Sequence, residues 1–234
     1  MPQATIIIVA LLALYFPSTF LRAGCIPVVA RAGSQAPAGP VNPDAAHAAV
    51  DRARALADEI IAASYSDFKS LDIRVKPFRS RSDYFKMRFG IPQYFCAQMR
   101  YLLFINPRVF DLQAPDAGVR AIIAHELGHV FYFRMRNRVR LLGLVRLTSR
   151  RFTAEFERWA DLKAISLGYG EGLKEYRRWL YQNIPAEKLA EKQRDYFSPD
   201  EIDAILSASR KRPELLDYWL AHVPLSLNQI LATK

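Results

Sequence analysis

Hydrophobic and polar residues alternate with two different periods along this chain, and the two periods mark out its elements. From Asp44 to about Ser64 the apolar positions recur at helical spacing. Ala49, Leu56, Ile60 and Ile61 form one stripe, with Asp51, Arg52, Arg54, Asp58 and Glu59 elsewhere. Asp44 stands where a helix cap is expected, and His47, in the first turn, reads as a surface residue. Leu71 to Phe78 (LDIRVKPF) switches to apolar/polar alternation, which predicts a strand ending at Pro77. Ser80 to Pro92 is polar, aromatic and basic and reads as a loop. Met99 to Ile105 (MRYLLFI) predicts a second strand, stopped by Asn106-Pro107.

The helical period then returns. Val119, Ile122, Ile123, Leu127, Val130 and Phe131 share its spacing, with Asp116 after Pro115 as a cap or first-turn acid. Glu171 to Tyr181 repeats the pattern with Leu173, Tyr176, Trp179 and Leu180. Ser198-Pro199-Asp200-Glu201 is a capping box with proline at the first helical position, and it opens a helix to about Ser209. Pro213 to Ala221 begins another short helix, followed by His222. There are no internal repeats. The pattern predicts an α+β fold in which a small sheet packs on several helices.

The residues before Asp44 stand apart. Ile6 to Phe16 is an apolar run of eleven residues, short for a membrane span and suited to the core of a signal peptide. Ala30-Arg31-Ala32 offers a cleavage site, giving a mature chain that starts near Gly33. Lipidation at Cys25, in a degraded lipobox Leu21-Arg22-Ala23-Gly24-Cys25, and retention as a membrane anchor are two further readings of residues 1–32. All three imply export or membrane attachment: periplasmic, envelope or secreted. Gly33 to Pro43 is rich in Pro, Gly and Ala and reads as a flexible linker, leaving 44–234 as one domain. Removal of the leader takes Cys25 with it. Cys96 then has no intrachain partner, and its aromatic neighbours Tyr94 and Phe95 mark it as a core residue.

The formal net charge is +10. Much of it lies between Arg134 and Arg151, which hold seven Arg and no acid around the apolar run Leu141 to Leu147. A solvated basic face is the default reading of this segment. A loop docking an acidic substrate and an interfacial helix placing Leu141, Leu142, Leu144 and Val145 in lipid are the others. No nucleic-acid-binding motif accompanies the charge, so it points to an anionic membrane surface rather than to nucleic acid.

The candidate chemistry sits in the helix that follows Asp116. His125-Glu126-Leu127-Gly128-His129 places two imidazoles four residues apart, hence on one helical face, where both can reach one metal ion. Glu126 lies beside them, as a carboxylate that takes a proton from an attacking water must. Two His leave a hydrolytic zinc one protein ligand short of the usual three. Glu157, 28 residues beyond His129, fits that ligand; Asp161, one turn further on, can fix a ligand imidazole through its other nitrogen.

HELGH followed by ERWADLKAISLGYGEGL resembles the gluzincin metallopeptidases, in particular the family of the membrane heat-shock proteases and CAAX prenyl proteases, and the small soluble minigluzincins. The likeness covers roughly residues 100 to 175. It implies that His125, His129 and Glu157 hold one zinc ion per chain, that Glu126 is catalytic, and that Asp161 supports a ligand histidine, with Ala160 matching the family's small residue. Unlike the multi-pass members, this chain shows no second membrane span. The longer metzincin motif fails because Tyr132 and Met135 replace its Gly and third His. An aspzincin reading would make Asp161 the ligand in place of Glu157.

The expectation is therefore a zincin-like domain that hydrolyses peptide bonds in a protein or peptide. A non-catalytic, zinc-stabilised envelope binding module and a basic membrane-associated protein are the rival readings. The strand at Met99 to Ile105 is the candidate edge for an extended substrate, with an ordinary central strand as the equal alternative. His222, Tyr169 and Tyr176 are candidates to stabilise an oxyanion.

Overall fold

Helix α1 (Pro43–Ser64) turns Ala49, Ile60 and Ile61 inward as its stripe predicts, adds Ala53 and Ala57, and leaves His47 exposed. Tyr65 fixes its end: the ring stacks on Phe68 at 5.0 Å, and the hydroxyl donates to the carbonyl of Ala124 at 2.8 Å. The computed structural model describes residues 43–89, 99–135 and 149–233, all within one compact unit, Ser34–Lys234. The leader (1–32), most of the linker after it, Cys96 and the stretch 136–148 of the basic segment lie outside the described residues. No described helix is long and apolar enough to cross a membrane.

Three strands follow: β1 (Asp72–Pro77), β2 (Phe85–Phe89) and β3 (Arg100–Ile105). They form a sheet in the order β1-β3-β2, with β1 parallel and β2 antiparallel to β3. Pro77, which has no N–H to give, ends an outer strand, where that loss costs least. One pair of alternatives is decided here and one expectation is corrected. β3 is the central strand, bonded on both sides, so it offers no free edge to a substrate. The supposed loop at Ser80 to Pro92 contains β2, an edge strand of the sheet among the described residues. On β3, Tyr101, Leu103 and Ile105 are buried on the face toward the helices, and Phe85 of β2 lies opposite Ile105 on that face.

A short helix α2 (Arg108–Asp111) leads into α3 (Asp116–Met135), around which the rest is packed. Ala121 through Val130 are buried without a break, so α3 has no solvent face between those residues. Asp116 is its first residue and pairs with Arg52 of α1 at 2.6 Å. α4 (Arg150–Ser166) and α5 (Gly170–Asn183) both pack on α3 and on each other. Between them Gly168 adopts φ +91°, a left-handed conformation that costs glycine nothing. The α3–α5 approach is close enough that a Cβ on Gly172 would run into the carbonyl of Ala117.

α5 buries Leu173, Tyr176, Trp179 and Leu180 as its stripe predicts, and with them the charged Arg177. Beyond lie α6 (Ala186–Asp195), α7 (Pro199–Lys211), α8 (Glu214–Ala221) and α9 (Leu227–Ala232). The capping box of α7 forms as read: Ser198 Oγ accepts from Glu201 N–H at 3.3 Å, and Glu201 accepts from Ser198 N–H at 2.9 Å. The sequence pattern had not marked α6 or α9. These helices close a second core around Leu162, Phe197, Ile202 and Trp219. The buried pair Arg158–Glu201, 2.8 Å apart, ties α4 to this layer. The architecture is α+β, a three-stranded sheet packed on helices.

Candidate metal centre

His125 and His129 lie one turn apart on α3, and Glu157 reaches them from α4. Gly128 faces Ala160 across this crossing, where a Cβ would already sit 3.5 Å from the Ala160 carbonyl oxygen, so small residues set how near the two helices lie. One ligand atom from each of His125, His129 and Glu157 lies within 4.8 Å of the other two. His125 Nε2 is 3.3 Å and His129 Nε2 is 3.2 Å from the same oxygen, Glu157 Oε2. Charge-assisted N–H···O bonds are usually shorter, about 2.7–2.9 Å. By contrast, ligand atoms bound at about 2.0–2.1 Å to one tetrahedral ion lie about 3.3 Å apart. The two imidazole–carboxylate spacings and the donor set, two imidazole nitrogens and a carboxylate, suit a small divalent cation with a coordination position to spare.

The charges agree with that fit. Burial would push His125 down, but the Asp161 carboxylate beside it, with Glu157 and Glu126, carries it up to about 9. Burial would push Glu157 up, yet the two imidazoles drive its carboxyl far below the usual range. Both shifts come from holding a carboxylate and imidazoles close together, the same closeness that a shared cation would need.

Asp161 lies behind His125. It is fully buried and accepts from His125 Nδ1 at 2.7 Å, from Arg177 Nη2 at 2.8 Å and from Phe197 N–H at 3.1 Å. Burial alone would raise its pKa; Arg177, His125 and these bonds lower it, so it is a carboxylate. With both oxygens engaged on the Nδ1 side of the ring, Asp161 is not placed to be a ligand, and the aspzincin alternative fails on geometry. His129 has no such support: its buried Nδ1 has no hydrogen-bond partner among the described residues.

Glu126 is buried and borders a cleft of about 240 Å³ shared with His129, Glu157, Phe156 and Tyr196. Burial pushes its carboxyl up, His125 and His129 pull it back, and Glu157 adds to the rise; the net shift is upward. Four consecutive residues of β2, Phe85 to Arg88, form the facing wall. Successive side chains of a strand point to opposite faces, so an unbroken run of this kind means that the strand meets the cleft side-on, by its edge.

The sequence candidates for an oxyanion partner divide. His222 is exposed, stacks on Tyr218 and borders a different cavity, of about 700 Å³, which Glu126 does not line. The Tyr169 hydroxyl is 3.0 Å from Ser64 Oγ and lines neither cavity that Glu126 borders. Tyr176 reaches only a small void of about 20 Å³ next to Glu126. Tyr196, which the sequence did not single out, borders both the void and the cleft, with its ring 5.9 Å from that of His125 and 4.4 Å from the Arg177 guanidinium carbon. Burial and the nearby Glu157 raise its pKa well above the usual phenol value, so it keeps its proton.

Arg177 was also missed. It falls at i+4 from Leu173 and one residue after Tyr176, on the apolar stripe of α5. An arginine in such a stripe signals a buried acidic partner. No protein-family model matches this chain, and no curated protein or solved structure matches it.

Proposed function

We propose that this chain is a zinc-dependent peptidase with a zincin-like fold, using the centre of His125, His129 and Glu157. The observation that carries this reading is the cluster of three ligand atoms, with a buried glutamate beside it at the wall of an open cleft. Zinc bound there would supply a Lewis acid for the scissile carbonyl and make a water molecule more acidic.

The chain's own residues do the rest. Glu126, buried at the cleft wall beside the ligands, takes the proton of the attacking water and returns it to the leaving amine. The protonated Tyr196 hydroxyl donates to the oxyanion that develops on the carbonyl. Asp161, held by Arg177, fixes the orientation and tautomer of His125. The edge of β2 receives an extended segment of the substrate by adding it to the sheet.

The test is cleavage of a quenched-fluorescence peptide mixture by wild type and by Glu126→Gln, at equal zinc content. Loss of general acid–base catalysis should lower the rate by a factor on the order of 10² to 10⁴. A Glu126→Gln protein as active as wild type would remove the peptidase reading and leave the metal a structural role.

A further inference from the structure

The wall of the cleft has a charge pattern that the chemistry above does not use. Residues opposite each other in an antiparallel pair share a face, so Lys86, opposite Phe104, and Arg88, opposite Leu102, stand on the outer face of the sheet. Phe85 and Met87 turn the other way, toward α3. Lys86 Nζ lies 3.3 Å from Asp83 Oδ2 and 4.7 Å above the Phe78 ring. The same Asp83 also serves Lys192, 2.7 Å away, so one carboxylate answers two ammonium groups. Arg88 is exposed and has no ion pair among the described residues. The other acids bordering the cleft, Glu126 and Glu157, belong to the metal centre. The edge of β2 is therefore left with excess positive charge, set two residues apart on one face.

We propose that the β2 edge selects extended peptides with acidic side chains at alternating positions, one beside Lys86 and the next beside Arg88. The inference rests on the peptidase reading and names its substrate class. A peptide strand added at this edge places every second side chain next to Lys86 and Arg88. The side chain between them points inward on the Met87 side, toward the metal helix. Opposite charges side by side on adjacent strands stabilise the pairing and like charges weaken it. The preference is thus for an acidic–apolar–acidic segment and against a basic one.

The experiment uses the full chain carrying Glu126→Gln, loaded with zinc, and fluorescence anisotropy with labelled ten-residue peptides. The peptides are identical except for Glu, Gln or Lys at the alternating positions. Two opposite-charge pairs should give the Glu peptide roughly fivefold tighter binding than the Gln peptide, with the Lys peptide weaker again. Arg88→Glu should bring the Glu and Lys peptides level, and Arg88→Gln should remove about half of the preference. Zinc content and thermal unfolding show whether each variant is folded. Lys211→Glu makes the same change in net charge at the end of α7, away from the cleft, and should leave the preference intact.

Equal binding of all three peptides by a protein whose wild type cleaves them would overturn the proposal and spare the peptidase reading. So would an equal effect of Lys211→Glu and Arg88→Glu, because the preference would then reflect net charge alone. If no peptide is bound or cut, the peptidase reading falls and this inference with it.

Discussion

Replacing Arg177 by Met tests how the interior supports the metal site. The substitution keeps most of the apolar stem and removes the guanidinium that holds Asp161 Oδ1 at 2.8 Å. Arg177 is 1% exposed and Asp161 0%, so water cannot replace the lost charge. Breaking a buried pair by deleting one member costs about 3–5 kcal/mol. The remaining bonds to His125 and Phe197 N–H favour the lower end, roughly 3 kcal/mol. Asp161 then binds a proton more readily and orients His125 less firmly; such losses behind a ligand weaken metal affinity about 10- to 100-fold.

The two effects separate in urea titrations run with and without zinc. At a free zinc concentration 100 times the wild-type Kd, zinc stabilises wild type by about 2.7 kcal/mol; a site tenfold weaker gains only about 1.4 kcal/mol at that concentration. Arg177→Lys retains a cation and should recover part of both losses. The reasoning is refuted if Arg177→Met gains as much from zinc as wild type, or if Lys and Met variants are equally affected.

Other consequences are simpler to state. Gly172→Ala gains about 1 kcal/mol of helix propensity but drives a Cβ into the Ala117 carbonyl. The net result should be destabilisation by about 1 kcal/mol or more, read as a lower Tm. Asp83 would be raised by burial, but Lys192 and Lys86 bring its carboxyl down to about 2. Its stabilisation, roughly 2 kcal/mol, is therefore present above about pH 4 and lost as pH falls toward 2. Acid titration of Asp83→Asn should lack that part of the loss. In the metal-free protein the raised pKa of His125 means that its proton stabilises the fold below about pH 6.5, and that this contribution fades as pH rises through about 9. Zinc must displace that proton, so its affinity should increase by about tenfold per pH unit from 7 toward 9 and then level off. Competition with a chelator of known affinity measures it.

What the sequence revealed and what it hid have a common physical cause. His125 and His129 could be paired on paper because four residues along a helix is a local rule, and the Ser198 capping box could be read for the same reason. Strand order is not local. β3 had the stronger apolar pattern, and strength of pattern marks a strand bonded on both sides as readily as a free edge. β2 did carry alternation in Phe85, Lys86, Met87, Arg88 and Phe89, but five residues inside a basic, aromatic stretch did not stand out from it. Tyr196 belongs to the junction of α6 and α7, and only tertiary packing brings that junction to the metal ligands. Arg177 was visible in principle, as a charge on an apolar stripe.

The most direct test of the central claim is the zinc content of the full chain, purified without added metal, beside that of Glu157→Ala. The account predicts about one zinc per wild-type chain and far less in a Glu157→Ala protein that remains folded. A folded wild type that neither carries zinc nor takes it up would contradict it.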